Sequence, residues 1–438
     1  MLKVTKFGGS SLASAEQFKK VAEIINADKD RHFVIASAPG KRNATDSKVT
    51  DMLYNCCELA QHGKDYTPLL FEIKQRFADI ICGLGIAFDL DSEFAKIKAA
   101  LQNPKSDYMA SRGEHLNSKI LAKYLGWKFI ETADYLVFDE NGVFMPEVSN
   151  ARLEKALADV DYAVVPGFYG AKENGEIKTF SRGGSDITGS IVARASHADI
   201  YENWTDVSGV YAADPRIVKN PRTISHITYK ELRELSYMGA SVLHEDAVFP
   251  VRKAGIPINI RNTNRPKDCG TLIVPELPRD VKKHIVTGIA GRKGFSTVLV
   301  EKAMLNTVVG FGATLLGIFA ENAVSFEHVP TGIDTMSVTV NTKEFNNARD
   351  TVLRQITQKL QPDELMVEDG FALIAVVGHR MVSQKGVAAR IFKAVSEAGV
   401  NIRMIDQGSS ELNIIIGVNE ADYETTIRAI YDEMKDLF

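Results

Sequence analysis

The chain contains few cysteines and no pattern that directs a protein to a membrane. Its four cysteines among 438 residues show no Cys-x-x-Cys spacing, so we expect neither a disulfide framework nor a structural zinc site. No apolar run reaches the length of a membrane span, and the first residues lack the charged-then-apolar pattern of a secretory signal. These absences predict a cytoplasmic protein with no membrane partner.

Several other classes of protein are excluded by what is missing. A formal net charge of −4 gives no electrostatic reason to expect a nucleic acid partner. No Gly-x-x-x-x-Gly-Lys-Ser/Thr motif occurs, so the chain is not a P-loop enzyme. Gly83 and Gly85 lack the third glycine of a dinucleotide fingerprint, and the nine histidines form no ligand cluster. We therefore predict no metal site made by the protein alone.

A glycine pair follows the first apolar strand. Lys6 stands two residues before Gly8 and Gly9, Ser10 comes next, and Ser14 begins a capping box that opens a helix. Glycines let the backbone approach a ligand closely, and their N–H groups can point at one anion, to which a lysine adds charge. Strand, glycine turn and helix together predict a phosphate cradle. The alternative is a glycine turn beside a solvated lysine.

A second glycine pair opens a later helix. Arg182 precedes Gly183 and Gly184, and Asp186 lies in the first turn. A helix N-terminus offers free N–H groups and partial positive charge, and an arginine suits a carboxylate or phosphate. Asp186 suits an ammonium group or a metal better than a phosphate. The alternative is an ordinary N-cap with a surface ion pair.

A third segment begins with a strand that ends at Thr205 and Asp206. The glycine-containing loop after it carries Tyr211, Asp214 and Arg216. A polar loop at the carboxyl end of a strand is the usual ligand position in open α/β sheets, and an aromatic ring there could flank a nucleobase. The alternative is an Asp-Pro turn with an incidental tyrosine.

Strand and helix patterns alternate over residues 1–283, which predicts a mainly parallel sheet with helices on both faces. Residues 46–126 are predicted to be largely helical. The predicted strands are residues 4–7, 32–37, 162–166, 199–204 and 256–261. Two prolines, Pro275 and Pro278, and a charged run mark a domain boundary.

The C-terminal third contains a repeat. Residues 295–369 follow the order strand, helix, strand, strand, helix, strand, and residues 371–438 repeat it with one strand missing. We expect a spare strand at 286–292 to complete the second copy, so that the first copy is inserted into the second. The predicted domains are therefore 1–283, 294–369, and 284–293 plus 370–438.

Six modest motifs occur in the order found in aspartate kinases, and the resemblance spans essentially the whole chain. The motifs are Lys6-Phe-Gly-Gly-Ser-Ser11, Ser37-Ala-Pro-Gly40, Gly113-Glu114, Arg182-Gly-Gly-Ser-Asp186, Trp204-Thr-Asp-Val207 with Tyr211 and Asp214-Pro-Arg216, and Gly239-Ala-Ser-Val-Leu-His244. The chain resembles a monofunctional aspartate kinase of the lysine-sensitive type. The resemblance implies an amino-acid-kinase fold followed by two βαββαβ ACT domains, and the length leaves no room for a homoserine dehydrogenase half.

The resemblance also implies the reaction and the residues that serve it. Aspartate kinases transfer the γ-phosphoryl group of ATP to the side-chain carboxylate of aspartate, with Mg²⁺ held mainly by phosphate oxygens, as the first step towards lysine, threonine and methionine. Lys6 and Asp186 are the implied catalytic residues. The implied ATP-binding residues are Lys6, Gly8, Gly9, Ser10, Thr205, Asp206, Tyr211, Asp214 and Arg216. The implied aspartate-binding residues are Thr50, Glu114, Arg182, Ser185 and Asp186.

The chain departs from the family at Ser241, where many relatives have a lysine that contacts phosphate. The positive charge around the triphosphate is therefore in question, although Arg216, Lys219 or Arg222 could compensate.

An amino-acid effector is expected at the first ACT domain. A helix N-terminus after residue 304 suits its carboxylate, and Glu327 suits its ammonium group. In lysine-sensitive relatives the positions matching Met304, Ser325 and Glu327 contact lysine, which favours lysine over threonine. The resemblance also implies a homo-oligomer assembled through paired ACT domains. The alternative is that these residues only build a dimer surface.

Two other functions are compatible with the sequence. Another amino-acid kinase of the same fold could share the glycine motifs, although such enzymes are usually shorter and most lack tandem sensors. A non-catalytic amino-acid sensor could keep the fold, and loss of Lys6, Arg182 or Asp186 would support it. All three residues are present.

Overall fold

The computed structural model describes residues 1–181, 183–240, 243, 245–278, 284–408 and 410–438, with the backbone alone for 245–247. It contains two compact units. The first comprises Met1–Val210, Thr223–Tyr229 and Val242–Val281. The second comprises Tyr211–Arg222, Lys230–Ser241 and Lys282–Phe438. Among the predicted site positions, Arg182 and Ser241 lie outside the described residues.

The first unit is built from strands and helices that alternate along much of the chain. Its strands are β1 (Lys3–Phe7), β2 (Arg31–Ala36), β3 (Lys128–Phe129), β4 (Val137–Phe138), β5 (Ala163–Pro166), β6 (Tyr169–Lys172), β7 (Ile177–Thr179), β8 (Ile200–Thr205), β9 (His226–Thr228), β10 (Ile258–Asn262) and β11 (Thr271–Val274). Its helices are α1 (Ala15–Asn26), α2 (Val49–Gln61), α3 (Thr67–Leu84), α4 (Leu90–Ala100), α5 (Ser106–Leu125), α6 (Pro146–Leu157), α7 (Gly184–Ala195) and α9 (Glu245–Ala254). The intervening α8 (Tyr229–Tyr237) belongs, after its first residue, to the second unit.

Eight of the described strands form one sheet in the order β3-β5-β2-β1-β8-β10-β11-β9, and only the β10–β11 pairing in it is antiparallel. The prediction of a mainly parallel sheet is confirmed. The five predicted strands correspond to β1, β2, β5, β8 and β10, each within two residues at either end. Because β1 lies between β2 and β8, its residues 4–7 are buried, as expected for a central parallel strand.

The predicted helical region after residue 46 is also confirmed, as α2 to α5. Apolar side chains of these helices join those of α1 in one core, in which Phe18, Phe77 and Ile120 are fully buried. Ser14 caps α1 by accepting a hydrogen bond from the Gln17 amide at 3.4 Å, so the helix begins where the sequence indicates. The reciprocal half of the capping box is not formed, because Gln17 Oε1 has no hydrogen-bond partner among the described atoms and Gln17 Nε2 donates to Asn264 Oδ1 at 3.2 Å. This packing fixes the start of α1 directly after the glycine turn.

The second unit has an antiparallel sheet covered by helices. Its strands are β12 (Gly288–Glu301), β13 (Phe326–His328), β14 (Thr335–Asn341), β15 (Glu364–Val377), β16 (Met404–Asp406) and β17 (Asn413–Asn419). Its remaining helices are α10 (Phe311–Glu321), α11 (Thr342–Asn346), α12 (Arg349–Leu360), α13 (Val387–Glu397) and α14 (Tyr423–Glu433). The described strands pair in the order β13-β14-β12-β15-β17-β16.

The two copies of the repeat share their central strands. Residues 288–293 of β12 pair with 372–377 of β15, which is the pairing expected if the spare strand completes the second copy. The prediction of two separate strands, one at 286–292 and one that begins the first copy at 295, is wrong in one respect. The two segments form the single strand β12. Gly294 has φ 92° and lies at a register shift, so it produces a bulge within β12 and does not end it. The exact domain boundaries stay a prediction.

Candidate active site

Lys6 and Asp186 form a buried ion pair in the first unit. Lys6 Nζ lies 2.5 Å from Asp186 Oδ1, and their side chains are only 10% and 17% exposed. Lys6 is held in the central strand β1, whereas Asp186 lies in the first turn of α7, after Gly183 with φ 70°. Two segments 180 positions apart in the chain therefore meet, and each of them carries one of the two glycine pairs.

Asn203 joins this pair, and the sequence analysis did not identify it. Its Nδ2 donates a hydrogen bond to Asp186 Oδ1 at 2.8 Å. The parallel register places Asn203 of β8 directly beside Lys6 of β1. Asn203 is 3% exposed. The available signal was a pair of polar residues, Glu202 and Asn203, in the middle of a predicted strand, because such side chains need polar partners when the strand is buried.

The glycine turn after β1 is packed against the segment that follows β2. The Gly40 amide donates to the Gly9 carbonyl at 2.8 Å, and a Cβ added to Gly40 would lie 2.5 Å from the Gly9 carbonyl carbon. A Cβ on Gly9 would lie 2.9 Å from the Ala38 carbonyl oxygen. At Gly8 the nearest atom would be 3.6 Å away. Gly9 and Gly40 therefore permit a backbone approach that side chains would prevent, while Gly8 has space beside it.

Glu114 is buried on α5. Burial raises its pKa to about 8, although the N–H of Ala38 and the charges of Arg112 and Lys6 act in the opposite direction. Its Oε2 atom has no hydrogen-bond partner among the described atoms. A Cβ added to the preceding Gly113 would lie 2.7 Å from the Ala38 Cβ, so the helix packs tightly at this point. A positively charged hydrogen-bond donor would both pair with this oxygen and favour the ionised form of the carboxyl group.

The other predicted aspartate-binding residues occupy helix starts. Ser185 is in the first turn of α7 and is 9% exposed. A Cβ added to Gly167, the residue after β5, would lie 2.6 Å from Ser185 Oγ, so this segment packs closely against the helix start. Thr50 is half-buried in the first turn of α2, where the Val49 amide donates to the Pro39 carbonyl at 3.1 Å.

Thr205 is the last residue of β8, and Asp206 follows it directly. Thr205 Oγ1 donates to Asp206 Oδ1 at 3.2 Å, and the Thr205 carbonyl accepts from the Thr263 amide at 2.9 Å. The Asp206 carbonyl accepts from Asn262 Nδ2 at 3.2 Å, while its side chain is exposed. The strand end is thus fixed through main-chain groups, and the carboxylate stays open to solvent.

Three predicted nucleotide-binding residues belong to the second unit. Arg216 Nη2 lies 2.6 Å from Asp214 Oδ2, and the arginine side chain is 86% exposed. The hydrogen bond from Arg216 holds the pKa of Asp214 below its usual range. Tyr211 is half-buried. Arg222 is engaged within the same unit, because its main-chain N–H donates to the Tyr431 hydroxyl at 2.9 Å and its guanidinium to the Phe438 carbonyl.

The predicted effector residues lie in the second unit as well. Met304 is 65% exposed, has φ 57°, and its amide donates to Asp334 Oδ1 at 2.8 Å. Glu327 is half-buried in β13 and accepts a hydrogen bond from the Tyr237 hydroxyl. Ser325 is exposed just before that strand.

Metal-binding clusters and membrane-spanning helices are not found in the described part of the chain. No three His, Cys, Asp or Glu side chains there are grouped to hold a metal ion. No helix within the described ranges is long and apolar enough to cross a bilayer.

Comparisons with known proteins agree with this architecture. The model described as "Amino acid kinase family" matches residues 1–262, and one described as "ACT domain" matches 374–434. Aspartokinase 3 of Bacillus subtilis (strain 168) is 40% identical over 449 residues, which are 99% of this chain and 98% of that protein.

Solved structures give the same result. The aspartate kinase of Clostridium acetobutylicum, described as an allosteric enzyme, is 49% identical with a TM-score of 0.94, covering 99% of this chain and 100% of that one. Aspartokinase III of E. coli, in complex with aspartate and ADP in the R-state, shows the same fold with a TM-score of 0.75 at 24% identity, covering 99% and 100%.

The chain therefore belongs to the amino acid kinase family, whose model covers more than half of it. Within that family it is an aspartate kinase, a phosphotransferase, with ACT-domain structure after the kinase region. The predicted fold class is confirmed. The individual roles assigned to the site residues stay predictions.

Proposed function

We propose that this aspartate kinase transfers the γ-phosphoryl group of ATP to the side-chain carboxylate of L-aspartate. A carboxylate oxygen attacks the γ-phosphorus, and the bond from that phosphorus to the bridging oxygen breaks. The products are 4-phospho-L-aspartate and ADP. The observation that carries this proposal is the buried Lys6–Asp186 pair beside the glycine turn, in a chain that aligns end to end with an aspartokinase.

Aspartate binding is assigned to residues around α2, α5 and α7. The ammonium group of aspartate would approach Glu114 and Asp186, and would satisfy the unpartnered oxygen of Glu114. Hydroxyls of Thr50 and Ser185 would add hydrogen bonds. By the motif match, Arg182 would pair with the α-carboxylate. This arrangement leaves the side-chain carboxylate of the substrate free to react.

Phosphoryl transfer needs positioning and charge stabilisation more than covalent help. The amides of Gly8, Gly9 and Ser10 would face the phosphate oxygens, and Gly8 has the space to let them approach. Lys6 would neutralise charge on the phosphoryl group in transit. Asp186, itself oriented by Asn203, would hold the lysine at the correct place in β1.

The nucleotide is assigned to the end of β8 and to the loop after it. Thr205 and Asp206 would contact the nucleotide near its sugar or phosphates, and Tyr211 would flank the base. Asp214 and Arg216 would complete the contacts. Mg²⁺ bound with ATP would shield the charge of the β- and γ-phosphates.

The same resemblance supports a role in biosynthesis and feedback control. The reaction would open the synthesis of lysine, threonine and methionine, in the cytoplasm, in a homo-oligomer assembled through ACT domains. We assign an effector to Met304, Ser325 and Glu327, and we favour lysine. Its second ammonium group would find the carboxylate of Glu327, which threonine could not reach in the same way.

An ATP-dependent hydroxamate assay tests this function. We expect the acyl phosphate to form with aspartate but not with glutamate or acetylglutamate, and lysine to inhibit more than threonine or methionine. Product from glutamate or acetylglutamate alone would refute the assigned substrate. Inhibition by lysine that persists undiminished in Glu327→Ala, with basal kcat retained, would refute the effector site.

A further inference from the structure

The side-chain carboxylate of Glu327, which we assign to effector binding, is in contact with helix α8. The Tyr237 hydroxyl, at the last residue of α8, donates a hydrogen bond to Glu327 Oε2 of β13, within the second unit. Burial, followed by the hydrogen bond and charge of Glu327, raises the pKa of Tyr237 to about 12. The hydroxyl therefore stays protonated and remains a donor throughout the neutral range.

The rest of α8 is attached to two inner strands of the same sheet, β12 and β17. The Tyr237 carbonyl accepts from Arg292 Nη1 of β12 at 3.3 Å, and Glu234 Oε2 accepts from Asn413 Nδ2 of β17 at 2.6 Å. These contacts involve the strands on which both repeat copies are built. The Tyr237–Glu327 hydrogen bond differs from them, because it connects the end of α8 to the short edge strand β13, which carries the predicted effector-binding residue Glu327.

The edge strand β13 has a comparable contact at its next residue. His328 Nδ1 lies 2.6 Å from Asp406 Oδ2 of β16. This second contact also joins β13 to another element of the unit, but it does not involve Glu327. The chain thus offers an internal control, namely a contact of the same strand that an effector at Glu327 would leave in place.

We propose that Tyr237 is part of the effector site, and that the ammonium group of the effector and the Tyr237 hydroxyl compete for Glu327. This inference rests on the proposed effector role of Glu327. A charged donor binds a carboxylate more strongly than a neutral hydroxyl does, so effector binding draws Glu327 away from Tyr237. The half-exposed tyrosine side chain, 51% accessible, can then turn to water.

Because of this competition, the effector binds the arrangement without the Tyr237–Glu327 hydrogen bond more tightly than the arrangement with it. Regulation requires such a difference in affinity. The hydrogen bond stabilises the effector-free arrangement, and its loss leaves the end of α8 unattached to β13. Four residues beyond Tyr237 the chain reaches Ser241, in the last of the six family motifs. By linkage, a variant without the hydroxyl already favours the inhibited arrangement, and so it binds the effector more tightly.

The test measures lysine binding to the full chain by calorimetry and inhibition by the hydroxamate assay. We expect Tyr237→Phe to lower the Kd for lysine about threefold to tenfold, the range of one modest hydrogen bond. Its activity without lysine falls towards the inhibited level, and the further inhibition by lysine shrinks. Asp406→Asn keeps the wild-type Kd, and Glu327→Gln loses lysine binding.

The contrary outcomes separate this inference from the proposed function. An unchanged or higher Kd in Tyr237→Phe, with binding lost in Glu327→Gln, overturns the competition but leaves the effector site standing. An equal gain in affinity in Asp406→Asn shows a general loosening of β13 and also overturns the competition. Wild-type binding by Glu327→Gln, or no binding of lysine by the wild type, refutes the lysine site itself and this inference with it.

Discussion

Two ion pairs of nearly equal length occupy opposite environments in the two units. Lys6 and Asp186 are 2.5 Å apart and almost buried, whereas Arg216 and Asp214 are 2.6 Å apart with the arginine largely in water. A buried pair loses hydration that its attraction repays only with good geometry, while an exposed pair contributes little to stability. The difference indicates that the first pair fixes a position, and that the second can open when a ligand arrives.

The largest effect is expected when the buried pair is broken. If Lys6 stabilises charge on the phosphoryl group, Lys6→Ala lowers kcat by roughly 10² or more while KM changes far less. Steady-state kinetics with aspartate and ATP measure both constants. Lys3→Ala is the matched control, because Lys3 lies on the same strand and pairs with Asp28 at 2.6 Å. A near-normal kcat in Lys6→Ala would show that the buried pair has only a structural role.

Local signals in the sequence were sufficient to predict the elements around this site. The apolar run of β1, the glycine turn and the Ser14 N-cap each depend on neighbouring residues, and all three form. The pairing of Lys6 with Asp186 depends on strand order and register, which a single sequence does not encode locally. Asn203 was missed for the same reason, since the β1–β8 register places it beside Lys6 and its partner, Asp186, comes from helix α7.

The second unit shows the opposite error. Its repeat and its helices were predicted, but two long strands were each divided at a glycine, Gly294 and Gly370. Both have positive φ, 92° and 78°, and glycine relieves the strain of that conformation, so the strand continues through a bulge. A glycine in a strand pattern signals a break and a bulge equally, and the pairing partner decides between them.

A smaller but still large effect is expected at Glu114. Because its pKa in the free protein is about 8, the charged form that receives an ammonium group becomes more abundant as the pH rises towards 8. The kcat/KM for aspartate should therefore rise about tenfold per pH unit below 8 and then level off. Glu114→Gln should lower kcat/KM about tenfold to a hundredfold at pH 8 and remove this rise. A pH profile that is identical in the two proteins would exclude Glu114 from the site.

The same carboxyl group makes a prediction about stability with a defined sign. Its pKa is raised from 4.5 to about 8 on folding, so the folded state binds the proton more tightly than the unfolded state does. The stabilisation is complete below pH 4.5 and is lost as the pH rises through 8. Between these values wild-type stability should fall by about 1.4 kcal/mol per pH unit relative to Glu114→Gln. Urea unfolding of the ligand-free proteins at several pH values measures the slope, and parallel curves would contradict the prediction.

An intermediate effect is expected at Asn203. The amide orients Asp186 without touching the phosphoryl group, so Asn203→Ala should lower kcat about threefold to tenfold, in line with one lost hydrogen bond. Asn203→Asp places a like charge beside Asp186 and should reduce kcat further. An equal effect of the two substitutions would indicate that lost packing, and not the orientation of Asp186, is responsible.

The smallest effects are expected at the exposed Arg216–Asp214 pair. They test whether Arg216 replaces the positive charge of the lysine that many relatives have at position 241. If Arg216 supplies the missing charge, Arg216→Ala should raise the KM for ATP about threefold to tenfold, with kcat nearly unchanged. The stability of the protein should change little, because an exposed ion pair contributes little to it. Ser241→Lys alone should lower that KM about twofold to threefold, because the new cation adds to an existing one. In the double variant, Ser241→Lys should reverse the rise in the KM for ATP that Arg216→Ala causes, since one cation then replaces the other. Additive effects without restoration would show that the two positions act on different parts of the nucleotide, and unchanged kinetics in Ser241→Lys would show that the charge around the triphosphate is already complete.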